Sequence, residues 1–185
     1  MKVKVKICGI RNHVSAITAL EAGADFLGFN FVVESSRFIE PAIAKKIIGD
    51  VKRESLNLSR QVKIVGVFQN ANADYIKYLA KFLYLDFVQL HDKRIIKSTK
   101  NSTTYKLIDR NIQGQGKMLN LNKAYFLARK FPIFFAGGLD SNNIQRVLKK
   151  VHPFAVDVAG GIETNGFEDT QKIKTFIANA KEVFI

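Results

Sequence analysis

Apolar, β-branched runs alternate with amphipathic stretches along the whole 185-residue chain, and this rhythm restricts the fold more than any other feature. Val3–Cys8, Asp25–Asn30, Lys63–Phe68, Asp86–Leu90, Ile133–Ala136 and Phe154–Val158 read as strands. A continuous apolar run such as Lys63–Phe68 marks a strand buried on both faces, as in parallel sheets covered by helices. The intervening segments carry helix signals. Asn12 is a candidate cap and Gly23 a candidate stop, with Val14, Ile17 and Leu20 between them. Pro41 suits a first helical turn followed by Ile43, Ile47, Ile48 and Val51 on one face. Ala73–Leu83, Leu119–Lys130, Ser141–Lys150 and Glu168–Lys181 also read as helices. Strands alternating with helices predict parallel βα units. No linker or composition shift interrupts them, so one domain over residues 1–185 is expected.

Two further short strand candidates, Arg94–Lys97 and Lys106–Asp109, bring the strand count to eight. The expected fold is therefore an α/β (β/α)8 TIM barrel. Strand starts at 3, 25, 63, 86, 94, 106, 133 and 154 give intervals of 22, 38, 23, 8, 12, 27 and 21. The intervals of 8 and 12 cannot hold a parallel crossover, which needs a dozen or more connecting residues. Such barrels usually run from about 200 residues upward, and here the deficit falls almost entirely at residues 92–108. The helices after strands four and five are expected to be shortened or absent. The apolar flanks of strands four to six are then exposed, a place for instability or association.

Composition narrows the function classes. Hydrophobic residues make up 47% of the chain, enough for an ordinary core. No run approaches the roughly 18 apolar residues of a membrane span, and the alternating N-terminus lacks a signal-peptide core. The one cysteine, Cys8, permits no internal disulfide, and a cytoplasmic location is expected. The net charge of +13 favours anionic partners. No basic block or aromatic-basic single-strand motif accompanies it, so the charge counts weakly for nucleic acid, and a small phosphorylated molecule is the preferred partner.

Polar and glycine residues collect at strand C-termini, where βα barrels build active sites. Gly137-Gly138 and Gly160-Gly161 follow the last two expected strands. Glycines let backbone N–H groups approach a phosphate closely, and loops seven and eight are the usual phosphate cradle of this fold. Either cluster alone reads as ordinary turn chemistry; the pair at these strands reads as a phosphate site. Cys8 ends the first strand, where a lone cysteine is more often an inert core residue. Asp109 ends an apolar strand and should face the barrel mouth, where a carboxylate needs a functional or ion-pair reason. A thiol and a carboxyl can act as base and acid if the site shifts both towards neutrality. Arg37, in the loop after strand two, is either a solvated surface arginine or a bidentate carboxylate binder. Asp157 lies near the end of strand eight. His91, after strand four, fits a substrate contact and a structural histidine equally well.

In order along the chain stand KVKICGI (Lys4–Ile10), ADFLGFNF (Ala24–Phe31), SSRFIEP (Ser35–Pro41), VGVFQN (Val65–Asn70), FVQLH (Phe87–His91), AGGLDSNNI (Ala136–Ile144) and FAVDVAGGIE (Phe154–Glu163). Together they closely resemble the phosphoribosylanthranilate isomerases of tryptophan biosynthesis, over residues 1–91 and about 107–182. The resemblance implies an Amadori rearrangement of a phosphoribosylamine of anthranilate to an aminodeoxyribulose phosphate, without metal or organic cofactor. It implies that Cys8 is the general base at the sugar C2 proton and that Asp109, within LID (Leu107–Asp109), is the general acid at the ribose ring oxygen. The GQGK segment (Gly114–Lys117) resembles the glycine-rich loop of the family. Arg37 would bind the anthranilate carboxylate, His91 and Asp157 would contact substrate, and Gly137, Gly138, Gly160 and Gly161 would hold its phosphate.

Four positions depart from the family pattern. Ala159 and Gly160 replace two serines, Asp92 replaces a glycine, and Glu168 replaces a lysine. With the shortened centre, these leave a non-catalytic or weakened phosphosugar-binding barrel as the alternative reading. Monomer and homodimer stay equally open.

Overall fold

The structure, a computed structural model, describes residues 2–109 and 121–184. Among these residues eight strands close into a barrel in chain order: β1 (Lys4–Cys8), β2 (Phe26–Asn30), β3 (Lys63–Phe68), β4 (Phe87–Leu90), β5 (Ile95–Ser98), β6 (Thr104–Asp109), β7 (Ile133–Ala136) and β8 (Ala155–Val158). Helices cover the outside: α1 (His13–Ala22), α2 (Pro41–Asn57), α3 (Ala73–Phe82), α4 (Leu121–Lys130), α5 (Ile144–Val151) and α6 (Thr170–Glu182). The expected helix over Leu119–Lys130 begins at Leu121 within the described residues, and GQGK lies outside them.

The helix ends follow the sequence signals. Asn12 caps α1 by accepting a hydrogen bond from the Ser15 N–H at 2.8 Å, and Gly23 closes it at φ +95°. Pro41 occupies the first turn of α2. Two apolar residues face the other way from expectation. Val14 is 63% exposed, because α1 packs through the small side chains Ala16 and Ala19 together with Leu20. Ile43 is also exposed, and α2 buries Ala44, Ile47, Ile48 and Val51 instead.

The centre of the chain departs from the parallel units that strand–helix alternation predicts. β4 pairs with β5 antiparallel (Val88 with Lys97, Gln89 with Ile96), and β5 pairs with β6 antiparallel (Ile96 with Tyr105). All other barrel pairs are parallel. Among the described residues no helix follows β4 or β5, and short turns take their place. Loops of this length can only reverse a strand. Two reversals return β6 to the direction of β4, so Asp109 still ends at the same mouth as Cys8.

Strand alternation sorts the core into two parts. Inward residues Phe26, Phe87, Tyr105, Phe134 and Phe154 plug the barrel below the mouth, with ring centroids 4.7–6.0 Å apart. Outward residues such as Ile7, Ile64, Phe135 and Val156 pack beneath the helices. The flank without helices is the least covered. Val88, Leu90 and Ile108 stay half-buried there, and Val88 lines a groove of about 1130 Å³ together with Val62, Ile76, Lys52, Lys81 and Lys97. No helix among the described residues is long and apolar enough to cross a membrane.

Candidate active site

A second cavity, of about 500 Å³, opens at the C-terminal ends of the parallel strands. Cys8, Arg37, His91, Asp109, Gly137, Gly138, Asp157, Gly160 and Gly161 all line it, so the structure brings together every expected site residue. Because β1 and β6 are separated around the barrel by β8 and β7, the two glycine loops lie between Cys8 and Asp109.

The glycine loops are built against each other. Gly137 and Gly138 adopt positive φ (+88° and +61°), a region glycine enters without steric penalty. Asn143 donates to the Gly138 carbonyl at 2.8 Å, and Asp140 accepts from the Asn142 and Asn143 N–H groups, which fixes the turn into α5. After β8 the chain makes a single 3₁₀ turn, Gly160–Ile162. A Cβ on Gly161 would lie 1.8 Å from the Leu139 carbonyl oxygen, so the two loops touch backbone to backbone.

Arg37 reaches the mouth from the loop after β2. Its stem crosses Gly9, where a Cβ would meet Cδ at 2.6 Å. Its Nε and Nη2 donate to both carboxylate oxygens of Glu163, at 2.7 and 2.8 Å. These hydrogen bonds and the charge of Glu163 push the guanidinium further towards its charged form. One edge of Arg37 is thus committed to the protein. Glu168, the replacement for a family lysine, is almost fully buried and pairs with Arg11 at 3.1 Å, while Arg11 also donates to the Ser36 carbonyl. The departure therefore ties the loop after β8 to the loops after β1 and β2. Asp92 is exposed in the β4–β5 turn.

Lys6 was not among the expected site residues. Its side chain is wholly buried, yet it donates to Asp157 Oδ1 at 2.9 Å and to Gln89 Oε1 at 3.0 Å. The available signal was strand periodicity: Lys6 is two residues before Cys8 and so shares its inward face. Burial alone would strip the Lys6 proton, but attraction to Asp157 and Cys8 outweighs it and raises the affinity for that proton. For Cys8 the balance differs. Burial pushes the thiol above its ordinary range, and the opposing pull of Lys6 and Arg37 does not cancel it. The site thus moves Cys8 away from neutrality, the opposite of the shift that base chemistry near neutral pH would call for. Among the described residues no group of three or more His, Cys, Asp and Glu side chains is placed to hold a metal ion.

The family model described as N-(5'-phosphoribosyl)anthranilate isomerase matches this chain in two stretches, residues 5–102 and 92–179, which overlap at β5 and its flanking turns. The N-(5'-phosphoribosyl)anthranilate isomerase of Roseiflexus sp. (strain RS-1) is 33% identical over 209 aligned positions, covering 97% of this chain and 98% of the relative. Those positions outnumber the 185 residues of the chain, so the relative carries segments this chain lacks. Among solved structures, the dimeric phosphoribosylanthranilate isomerase of Thermotoga maritima, in its form as generated monomers, superposes with a TM-score of 0.77 at 29% identity over 98% of this chain and 100% of that one. A phosphoribosylanthranilate isomerase in complex with reduced 1-(o-carboxyphenylamino)-1-deoxyribulose 5-phosphate gives 0.76 at 30% identity over the same shares. Shared order of motifs, barrel and mouth thus lead to one assignment: the chain belongs to the N-(5'-phosphoribosyl)anthranilate isomerase family.

Proposed function

We propose that the mouth catalyses the isomerisation with Cys8 as general base and Asp109 as general acid. The family reaction converts N-(5'-phosphoribosyl)anthranilate to 1-(2-carboxyphenylamino)-1-deoxyribulose 5-phosphate in tryptophan biosynthesis. Asp109 gives its proton to the ribose ring oxygen, the C1–oxygen bond breaks, and an iminium forms between C1 and the anthranilate nitrogen. Cys8 as thiolate then takes the C2 proton, and the resulting enaminol tautomerises to the 2-ketone. No electron acceptor is needed, because C1 is reduced as C2 is oxidised.

One observation supports this reading above the rest: Cys8 and Asp109 open into a single cavity with both glycine loops between them. The phosphate would rest on Gly137, Gly138, Gly160 and Gly161, and the anthranilate carboxylate on the Arg37 edge that Glu163 leaves open. His91 and Asp157 are further substrate contacts. The protein acts on this small molecule in the cytoplasm as one domain, with no cofactor, membrane or nucleic acid required. A monomer and a homodimer both suit this mouth, since every proposed residue comes from one chain.

The second reading, a phosphosugar binder with weak or no turnover, draws on the two missing loop-eight serines and on the hold of Glu163 over Arg37. Steady-state turnover of freshly made phosphoribosylanthranilate separates the two. Cys8→Ala and Asp109→Asn are each expected to lower kcat/KM by about 10² or more, the usual contribution of a general acid or base. Losses within two-fold would remove the assigned roles. Binding of a reduced product analogue without turnover in the unmutated protein would favour the second reading.

A further inference from the structure

A buried lysine in a barrel interior needs a reason, because removing an ammonium group from water is costly unless it is paired. Lys6 has one partner with charge, Asp157 at 2.9 Å, and one without, Gln89 at 3.0 Å. An ammonium group has three protons to donate, and the charge of Lys6 also acts on the neighbouring Cys8 thiol, weakening its hold on its proton. The geometry is enforced from β2. A Cβ on Gly28 would stand 2.8 Å from Cys8 Sγ and 3.1 Å from Lys6 Cε, so both side chains lean across the same glycine. Any larger residue there would force lysine and thiol apart.

We propose that Lys6 is a positioning residue for the isomerisation: its buried ammonium group stabilises the thiolate of Cys8, and Asp157 sets how strongly it does so. The inference rests on the reading of Cys8 as base, but the electrostatic part stands on the Lys6–Asp157 pair and the packing of Lys6 and Cys8 across Gly28. Cys8 has charged or titratable neighbours on every side of the mouth. Lys6 adjoins it on β1 and Asp157 on β8, with Arg37 and its partner Glu163 above. Asp109 faces it from β6, His91 from the turn after β4, and Asp140 from the loop after β7. Of these, Lys6 is wholly buried and leans across the same glycine as the sulfur, so its attraction is the least screened by water. Proton transfer from the sugar C2 leaves a neutral thiol and an unchanged Lys6–Asp157 pair. The pair therefore pulls on the reacting sulfur without exchanging a proton itself.

The two charges of the pair act on the sulfur with opposite sign, and this gives the test. Breaking the pair from either side damages the fold alike, yet it should move the thiol in opposite directions. The rate of iodoacetamide alkylation against pH, on intact ligand-free protein, reads Cys8 uniquely because the chain has one cysteine. Lys6→Met is expected to raise the alkylation midpoint by about one pH unit or more, and Asp157→Asn to lower it. Lys6→Arg should restore it towards the starting value. The double variant Lys6→Met/Asp157→Asn leaves no unpaired buried charge and keeps the test usable if Lys6→Met does not fold, as judged by circular dichroism. Its midpoint should lie above that of the unmutated protein and below that of Lys6→Met. Shifts of Lys6→Met and Asp157→Asn in the same direction, or an unmoved midpoint in Lys6→Met and in the double variant, would overturn the proposal. The basic limb of kcat/KM against pH should follow the alkylation midpoint. If alkylation shifts as stated and that limb stays fixed, the hold of Lys6 on Cys8 is supported, and the reading of Cys8 as base is what fails.

Discussion

At the scale of single residues, two adjacent glycines in the loop after β8 differ in what they tolerate. Gly161 sits against the Leu139 backbone, with no flexible neighbour to yield, so Gly161→Ala must push the two glycine loops apart. Overpacking of this kind costs about 1–3 kcal/mol. The change should lower the denaturation midpoint and raise KM together. Gly160 has room: its Cβ would lie 3.4 Å from Arg37 Nη2, an ordinary contact with a side-chain tip. Gly160→Ser returns one hydroxyl of the family pattern and should leave stability within about 0.5 kcal/mol. If it donates to the phosphate, a gain of about 0.5–1.5 kcal/mol corresponds to a KM lower by about two- to ten-fold. A KM that rises instead would place the phosphate elsewhere. These glycines are visible in the sequence because a glycine pair closing an apolar strand marks a turn directly. Lys6 is hidden there, because a lysine in an alternating strand reads as solvent-facing until the mouth is known to be polar. The hold of Glu163 on Arg37 is hidden for a different reason: 126 residues separate the partners, and only the closed barrel brings them together.

At the scale of elements, strand starts were legible to within one or two residues, since apolar β-branched runs mark them directly. Strand direction was not. IIKS (Ile95–Ser98) carries nothing that distinguishes up from down; direction came from the connections, which are too short for a crossover. β5 nonetheless acts as a true stave. Ile96 is fully buried in the inner layer with Phe26, Val65, Leu107 and Phe134, while its neighbour Ile95 is only half-buried. Ile96→Ala should therefore cost about 2–5 kcal/mol, the range for emptying a core site. Ile95→Ala should cost clearly less in urea unfolding of the same protein. Equal and small losses would mean that β5 hangs on the outside of a seven-stranded barrel. The cost also bears on function, because β5 is the only covalent route from the β4 half to Asp109.

At the scale of the whole molecule, the two missing helices are coupled by parity. One hairpin in a parallel barrel would leave every later strand reversed and carry Asp109, both glycine loops and α5 to the wrong end. Two hairpins cancel, at the cost of one inverted stave and an uncovered flank along β4–β6. A helical crossover restored only between β4 and β5 cannot reach that flank while the β5–β6 turn stays short, because β5 must remain inverted and the insert must stay at the mouth. Crossovers restored in both connections free β5 to run parallel and lay helices over Val88, Leu90 and Ile108. Completing the burial of such side chains is worth up to about 1.5–3 kcal/mol each, so a gain of about 2–4 kcal/mol is a fair expectation for partly covered ones. For a chain of this size that raises Tm by about 5–10 °C. The double insertion should show that rise with activity retained. The single insertion should show no rise, and lower activity from an obstructed mouth. Thermal unfolding and turnover of the two chimeras side by side decide it: a single insertion as stabilising as the double would mean that β5 can take either direction independently, and that parity does not bind the two losses together.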